Sequence, residues 1–140
     1  MRIPLTPALA IAAFLAIAPL PSLAQDKRPM GMAPAIVGST WTAVEINGTA
    51  VPNDRSTFKI TEEMKAAGNG GCNGWFAPVV LEGDTIHLGP IASTRKACRD
   101  TMQQEIDYFA ALAAATNWEA VEGELRFLDA DRNVVLRFSI

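Results

Sequence analysis

The sequence has few of the residues from which active sites are usually built. Its 140 residues include one histidine, His87, and two cysteines, Cys72 and Cys98. A nucleophile needs a base beside it, and we interpret His87 as an exposed residue of a strand rather than as that base. A structural zinc site needs four ligands, usually with close Cys or His pairs, and no such pair is present. We therefore expect a protein that is not an enzyme and binds no zinc.

Phosphate and calcium motifs are also incomplete. The glycine-rich run at positions 68–74 lacks the Gly-Lys-Ser/Thr of a phosphate loop. The pattern Asp129-x-Asp131-x-Asn133 resembles the start of a calcium loop, but the glycine and the glutamate required at its sixth and twelfth positions are missing. A hairpin turn explains this pattern fully, and we predict no cofactor.

The chain has no excess of positive charge and no unbroken apolar run long enough for a membrane anchor. Its net charge is −3, which argues against nucleic acid, since phosphate binding needs a basic surface. The apolar run at 9–20 is followed by Pro21 and by Ser22-Leu23-Ala24, small residues at the positions that precede a cleavage site. We predict a signal peptide over 1–24, cleavage before Gln25, and a periplasmic or secreted protein without a membrane anchor.

Beyond a predicted flexible N-terminal segment at 25–36, the pattern over 37–140 is mostly that of short strands. Val44 and Ile46 alternate with a polar residue, and Trp75, Ala77 and Val79 share one face of a longer run. Pro78 interrupts that run and predicts an edge position or a bulge. About seven such strands predict an α+β, mainly β fold: a curved antiparallel sheet or partial barrel with one helix. The residues left after cleavage suffice for a single domain.

The helix is predicted over 100–115, which contains neither glycine nor proline. The apolar residues at helical spacing, which predict its buried stripe, are Met102, Ile106, Phe109, Leu112 and Ala113. Asp100, three residues before Gln103, resembles a capping box. The helix should pack its apolar stripe on the sheet.

Export, an even cysteine count and placement at two turns favour a disulfide between Cys72 and Cys98. Closing this loop would stabilise the domain by about 3–4 kcal/mol on the chain-entropy model. The alternative is two buried free cysteines that never approach each other.

The order of four motifs resembles that of the META domain, the family of the HslJ-like heat-shock proteins of bacterial envelopes. The motifs are Trp41 with Ile46-Asn47-Gly48, then Gly70-Gly71-Cys72-Asn73, then Thr94-x-x-Ala97-Cys98, then a helix that carries Glu105 and Leu112. Lys96 stands where the family usually has methionine. The resemblance implies a small, mostly β domain without established enzymatic activity, associated with envelope stress, and a structural role for Gly70, Gly71, Asn73 and Thr94.

From these observations we expect an exported, monomeric, non-enzymatic protein that binds an envelope protein or small molecule, or supports the envelope under stress. A protease-inhibitor-like module or a carrier of a small apolar ligand is the alternative. Arg95, Lys96 and Arg99, just before the predicted helix, are the candidate contacts for an anionic ligand. A solvated turn is the simpler explanation of these three charges.

Overall fold

The structure is a computed structural model that describes residues 35–140. The predicted signal peptide and residues 25–34 of the predicted N-terminal segment lie outside the described residues. Ile36, the last residue of that segment, is fully buried. Val37 forms a bridge with Ile60, and the backbone N–H of Gly38 donates to the carbonyl of Ile60. The described chain is therefore anchored in the core from its second residue.

Ten strands and one helix make up the described residues. In chain order they are β1 (Thr40–Ile46), β2 (Thr49–Ala50), β3 (Ser56–Ile60), β4 (Lys65–Gly70), β5 (Gly74–Glu82), β6 (Thr85–Leu88), β7 (Ala92–Ser93), α1 (Met102–Ala114), β8 (Asn117–Val121), β9 (Glu124–Leu128) and β10 (Val134–Ser139). No helix in this part of the chain is long and apolar enough to cross a membrane.

Eight of the strands close into an antiparallel barrel in the order β1-β3-β4-β5-β6-β8-β9-β10. The closing pair is β1 with β10, in which Thr42 lies opposite Ser139 and Ile46 opposite Leu136. The short strands β2 and β7 pair with the end of β1 and the start of β5, respectively. The predicted class, mainly β with one helix, is confirmed, although the barrel is closed and has more strands than the seven or so expected.

Aromatic side chains fill the barrel core. The rings of Phe58 and Phe127 meet edge to face with centroids 4.9 Å apart, and Phe138 lies 5.2 Å from Phe127. Tyr108 of α1 joins them and donates its hydroxyl to the carbonyl of Thr57 at 2.7 Å. All four rings are fully buried. The helix contacts β1, β4 and β10, so its packing completes the core that the strands begin.

The predicted alternation in β1 is wrong at Val44, which is 37% exposed while Trp41, Ala43 and Ile46 are buried. The pairing of β1 with β10 shifts register between Ala43 and Glu45. Such a bulge inserts one residue into the strand, and the side chains beyond it change faces.

The predicted stripe of the helix is wrong in part, because Leu112 is buried and Phe109 packs against the core as predicted, whereas Ala113 is exposed. Residues Glu105, Tyr108, Ala111 and Leu112 are buried, whereas Ile106 is 56% exposed. The helix therefore faces the barrel with a side that includes a carboxylate. The capping box at Asp100 does not form, because the N-cap residue is Thr101 and no side chain caps the helix.

Pro78 does not mark a sheet edge, since β5 is paired on both sides. On one side of β5, Phe76 pairs with β7 and Val79 pairs with β6, and Pro78 lies between these two pairings. The carbonyl of Pro78 accepts from the N–H of Gly89 in the connection between those strands. A residue without an N–H is tolerated at this break in the ladder.

Candidate functional site

Three segments that are distant in sequence meet at one end of β4 and β5. They are the turn between these strands at 71–73, the loop that follows β7 at 94–98, and the first turns of α1 around Glu105. Each carries residues that the sequence analysis singled out. We call the hydrogen bonds that join them the Asn73–Glu105 network.

The carboxylate of Glu105 accepts three hydrogen bonds from the turn. Its Oε2 accepts from the backbone N–H groups of Cys72 at 2.8 Å and Asn73 at 2.6 Å, and its Oε1 accepts from Nδ2 of Asn73 at 2.6 Å. The side chain is 4% exposed. Bonds from N–H groups to a carboxylate are stronger than bonds between neutral groups. The network therefore replaces the water that Glu105 loses on burial.

The side chain of Asn73 links the same turn to the loop after β7. Its Oδ1 accepts from the backbone N–H of Lys96 at 2.6 Å and from the hydroxyl of Thr94 at 2.9 Å, while Nδ2 also donates to the Lys96 carbonyl at 3.1 Å. Asn73 is 2% exposed. Its amide thus bonds to the loop with both its oxygen and its nitrogen, and both segments are fixed relative to α1.

A disulfide between Cys72 and Cys98 joins these two segments covalently. The Cα atoms lie 5.9 Å apart, within the range that a disulfide requires, and each cysteine is half-buried. The alternative of two separated thiols is wrong. Covalent bond and hydrogen bonds act on the same junction, so the disulfide limits how far the loop can separate when the network opens.

Two glycines allow the turn to approach the helix closely. A methyl group on Gly70 would lie 2.6 Å from Cζ of Phe109 and 2.8 Å from Cγ of Glu105. Gly71 has φ +131°, a backbone conformation that favours glycine, and its N–H donates to Oδ1 of Asn69 at 2.8 Å. Larger residues here would push the turn away from the carboxylate that it binds.

No side-chain hydrogen bond or ion pair within residues 35–140 joins the three basic residues proposed as anion contacts. Arg95, Lys96 and Arg99 are all exposed, and none forms an ion pair within residues 35–140. Lys96 enters the network through its backbone rather than its ammonium group. Their role as anion contacts stays a prediction.

The remaining polar residues of the sequence analysis lie away from the network. His87 is exposed on β6, opposite Val80. Asp129 organises the β9–β10 turn, where Oδ1 accepts from the N–H groups of Asn133 at 2.9 Å and Asp131 at 3.0 Å. These bonds, led by that from Asn133, lower the pKa of Asp129. Across the described residues no group of three or more His, Cys, Asp or Glu side chains could hold a metal ion.

Sequence reasoning did not assign Glu105 its role. The signal was present in its spacing, because Glu105, Tyr108 and Leu112 stand at i, i+3 and i+7 and so share one face of a helix. A glutamate on the face of two large core residues needs buried donors. The turn at Cys72 and Asn73 supplies them.

The fold and this junction define a disulfide-clamped, helix-packed β-barrel domain. The chain matches the META domain family over residues 34–140 and belongs to that family. The fold is similar to the NMR structure of a protein from Burkholderia xenovorans, with TM-score 0.58 and 21% identity over 81% of this chain and 96% of that one. It is also similar to a second NMR structure, with TM-score 0.56 and 18% identity over 71% and 86% of the two chains. No curated protein matches the sequence.

Proposed function

We propose that this META domain acts outside the cytoplasm as a non-enzymatic protein of the cell envelope, with a binding or structural role in tolerance to stress such as heat. The observation that carries the proposal is the Cys72–Cys98 disulfide. Disulfides persist in oxidising compartments and are rare in the cytoplasm. The predicted signal peptide at 1–24 and the family's association with envelope stress agree with this setting.

The hydrogen bonding of the network supports a role without chemistry at this junction. Glu105 and Asn73, its two buried polar side chains, direct their oxygen and nitrogen atoms to partners inside the domain. A general base must reach a substrate proton, and neither group is open to one. The barrel core is filled by aromatic rings, which supports binding at the outer surface rather than inside the barrel.

The test is to express the complete chain from its own reading frame in a bacterial host, fractionate the cells, and alkylate thiols before and after reduction. We expect periplasmic or secreted protein that begins at Gln25 and takes up alkyl groups only after reduction. Full-length protein with two free thiols in the cytoplasm would overturn the proposed location.

The stress role is tested by deleting the gene from its natural host and measuring survival after a heat challenge. Survival should fall and should be restored by the complete gene, but not by a gene that lacks codons 2–24. Unchanged survival of the deletion strain under heat and under envelope-active antibiotics would contradict the stress role while leaving the location standing.

A further inference from the structure

The outer face of β5 carries the most exposed aromatic residue of the described chain. Trp75, Ala77 and Val79 point into the core and are buried, whereas the alternating side chain of Phe76 is 64% exposed and that of Val80 is 51% exposed. Pro78 lies between them and is also exposed. Isolated apolar residues on a surface are ordinary, but contiguous ones mark interaction sites.

The neighbours of Phe76 leave its ring uncovered because they are small. Across the ladder, Phe76 lies opposite Ala67 of β4 on one side and Ala92 of β7 on the other. A groove of about 390 Å³ runs beside the ring and has a mostly apolar lining that includes Gly68 and Gly74. The groove has room for a large apolar side chain. We call the outward side chains of Ala67, Phe76, Pro78, Val80 and Ala92 the Phe76 surface.

A free strand edge borders this surface. The strand β7 has two residues and, within residues 35–140, pairs only with β5. The N–H of Thr94, just beyond it, donates to the carbonyl of Gly74 in β5. In an antiparallel pair alternate residues direct their backbone groups to opposite sides, so those of Ser93 point away from β5. An extended peptide can add to such an edge through main-chain hydrogen bonds.

Basic residues adjoin the Phe76 surface in the strand ladder and in the chain. Lys59 of β3 lies opposite Ala67 of β4, which in turn lies opposite Phe76. Lys65 of β4 lies opposite Pro78. Arg95 and Lys96 follow β7, and all four are exposed without an ion pair inside residues 35–140. Of the acidic groups of these strands, Glu62 and Glu63 lie in the turn between β3 and β4, where hydrogen bonding and, to a lesser extent, the charge of Lys65 lower the pKa of Glu63. Glu82 ends β5 on the same outer face, beyond Val80.

We propose that the Phe76 surface binds an extended segment of a partner protein that carries a large apolar side chain flanked by carboxylates. The apolar side chain enters the groove beside Phe76, the carboxylates meet Lys59, Lys65 and the basic residues after β7, and the segment pairs with the free edge of β7. This inference rests on the proposed binding role and names its partner class. A second copy is disfavoured, since a two-fold interface would place this basic surface against an identical basic surface.

The experiment selects extended peptides from a displayed library of random sequences with the purified, disulfide-bonded protein as bait. Selected peptides should combine an aromatic or aliphatic residue with adjacent Asp or Glu. Affinity for a selected peptide should fall about tenfold or more in Phe76→Ser and should weaken with salt. Val121→Ser, which removes a 55% exposed apolar side chain on β8, is the matched control and should bind within about twofold of the unaltered protein.

Several outcomes would overturn the inference. Two concern peptides: selection of sequences without acidic residues, and equal binding of a selected peptide by Phe76→Ser. Two concern other occupants: self-association that Phe76→Ser abolishes, and binding to anionic phosphatidylglycerol vesicles, but not to peptides, that Phe76→Ser abolishes. Lys59→Glu with Lys65→Glu tests the charges independently, because both side chains are exposed and neither forms an ion pair within residues 35–140. Affinity for the selected acidic peptide should fall in this variant, and unchanged affinity would overturn the role of the charges. If Phe76→Ser restores heat survival as fully as the unaltered gene, the surface is not the one used, and the proposed function stands without it.

Discussion

The replacement of Glu105 by glutamine tests whether a buried carboxylate holds the junction together. The glutamine oxygen can accept from the N–H groups of Cys72 and Asn73, but the amide nitrogen then faces Nδ2 of Asn73, donor against donor. The Asn73 amide cannot rotate to help, because its oxygen already accepts from Thr94 and Lys96.

The expected cost follows from these contacts. One buried donor left without a partner costs about 1–3 kcal/mol, and two bonds that lose their charged acceptor each weaken by about 1 kcal/mol. A neutral amide is easier to bury than a carboxylate, which offsets part of this cost. We expect Glu105→Gln to lower the free energy of unfolding by about 2–4 kcal/mol, a large share of the ~5–15 kcal/mol of a typical domain.

Urea unfolding followed by tryptophan fluorescence measures this loss, since Trp41, Trp75 and Trp118 are all buried. The control is Asp107→Asn, which removes a charge from the same helix at a residue whose only side-chain bond in the described chain is an exposed one from Gln103. It should change stability by about 0.5 kcal/mol or less. A Glu105→Gln protein as stable as this control would refute the reasoning.

Three other predictions concern the disulfide, the turn and the core. Replacing Cys72 and Cys98 by serine should lower the free energy of unfolding by about 3–4 kcal/mol, since the unfolded chain regains the freedom of the open loop; a loss below about 1 kcal/mol would contradict this. Gly70→Ala should cost about 1–3 kcal/mol in the same assay, because its methyl group would lie 2.6 Å from a phenylalanine ring carbon of α1. Gly74→Ala, whose methyl group would meet nothing closer than 3.9 Å, should be neutral or slightly stabilising, and equal effects of the two would exclude the steric explanation. Burial raises the pKa of Tyr108 well above its ordinary 10.0, so the neutral phenol's stabilisation is complete below pH 10 and is lost at higher pH. Tyr108 is the only tyrosine, so tyrosinate absorbance should rise together with unfolding, and a titration near pH 10 in folded protein would disprove its burial.

The sequence predicted those features that depend on local pattern. Trp75, Ala77 and Val79 alternate with outward residues, and the structure buries all three. The helix was predicted over 100–115 and runs from Met102 to Ala114, where no glycine or proline interrupts it. The cysteine pairing was predicted from export, an even count and turns, and the disulfide is present.

The features that failed depend on partners distant in sequence. The bulge that exposes Val44 arises from the register of β1 against β10, which are paired in space but lie at opposite ends of the domain's sequence. The burial of Glu105 could not be predicted from hydrophobicity, because it is favourable only where Cys72 and Asn73 present their N–H groups. Barrel closure is likewise a property of the first and last strands together.

The internal network and the proposed outer surface are physically coupled through one residue. Thr94 donates its hydroxyl to Asn73 and its backbone N–H to Gly74, so the network that holds Glu105 also holds the end of β7 against β5. The groove beside Phe76 includes Thr94 in its lining, so the same hydrogen bonds hold one of its lining residues in place. The Gly-Gly-Cys-Asn motif therefore lies inside the domain, where Asn73 binds both Glu105 and the loop that borders the groove.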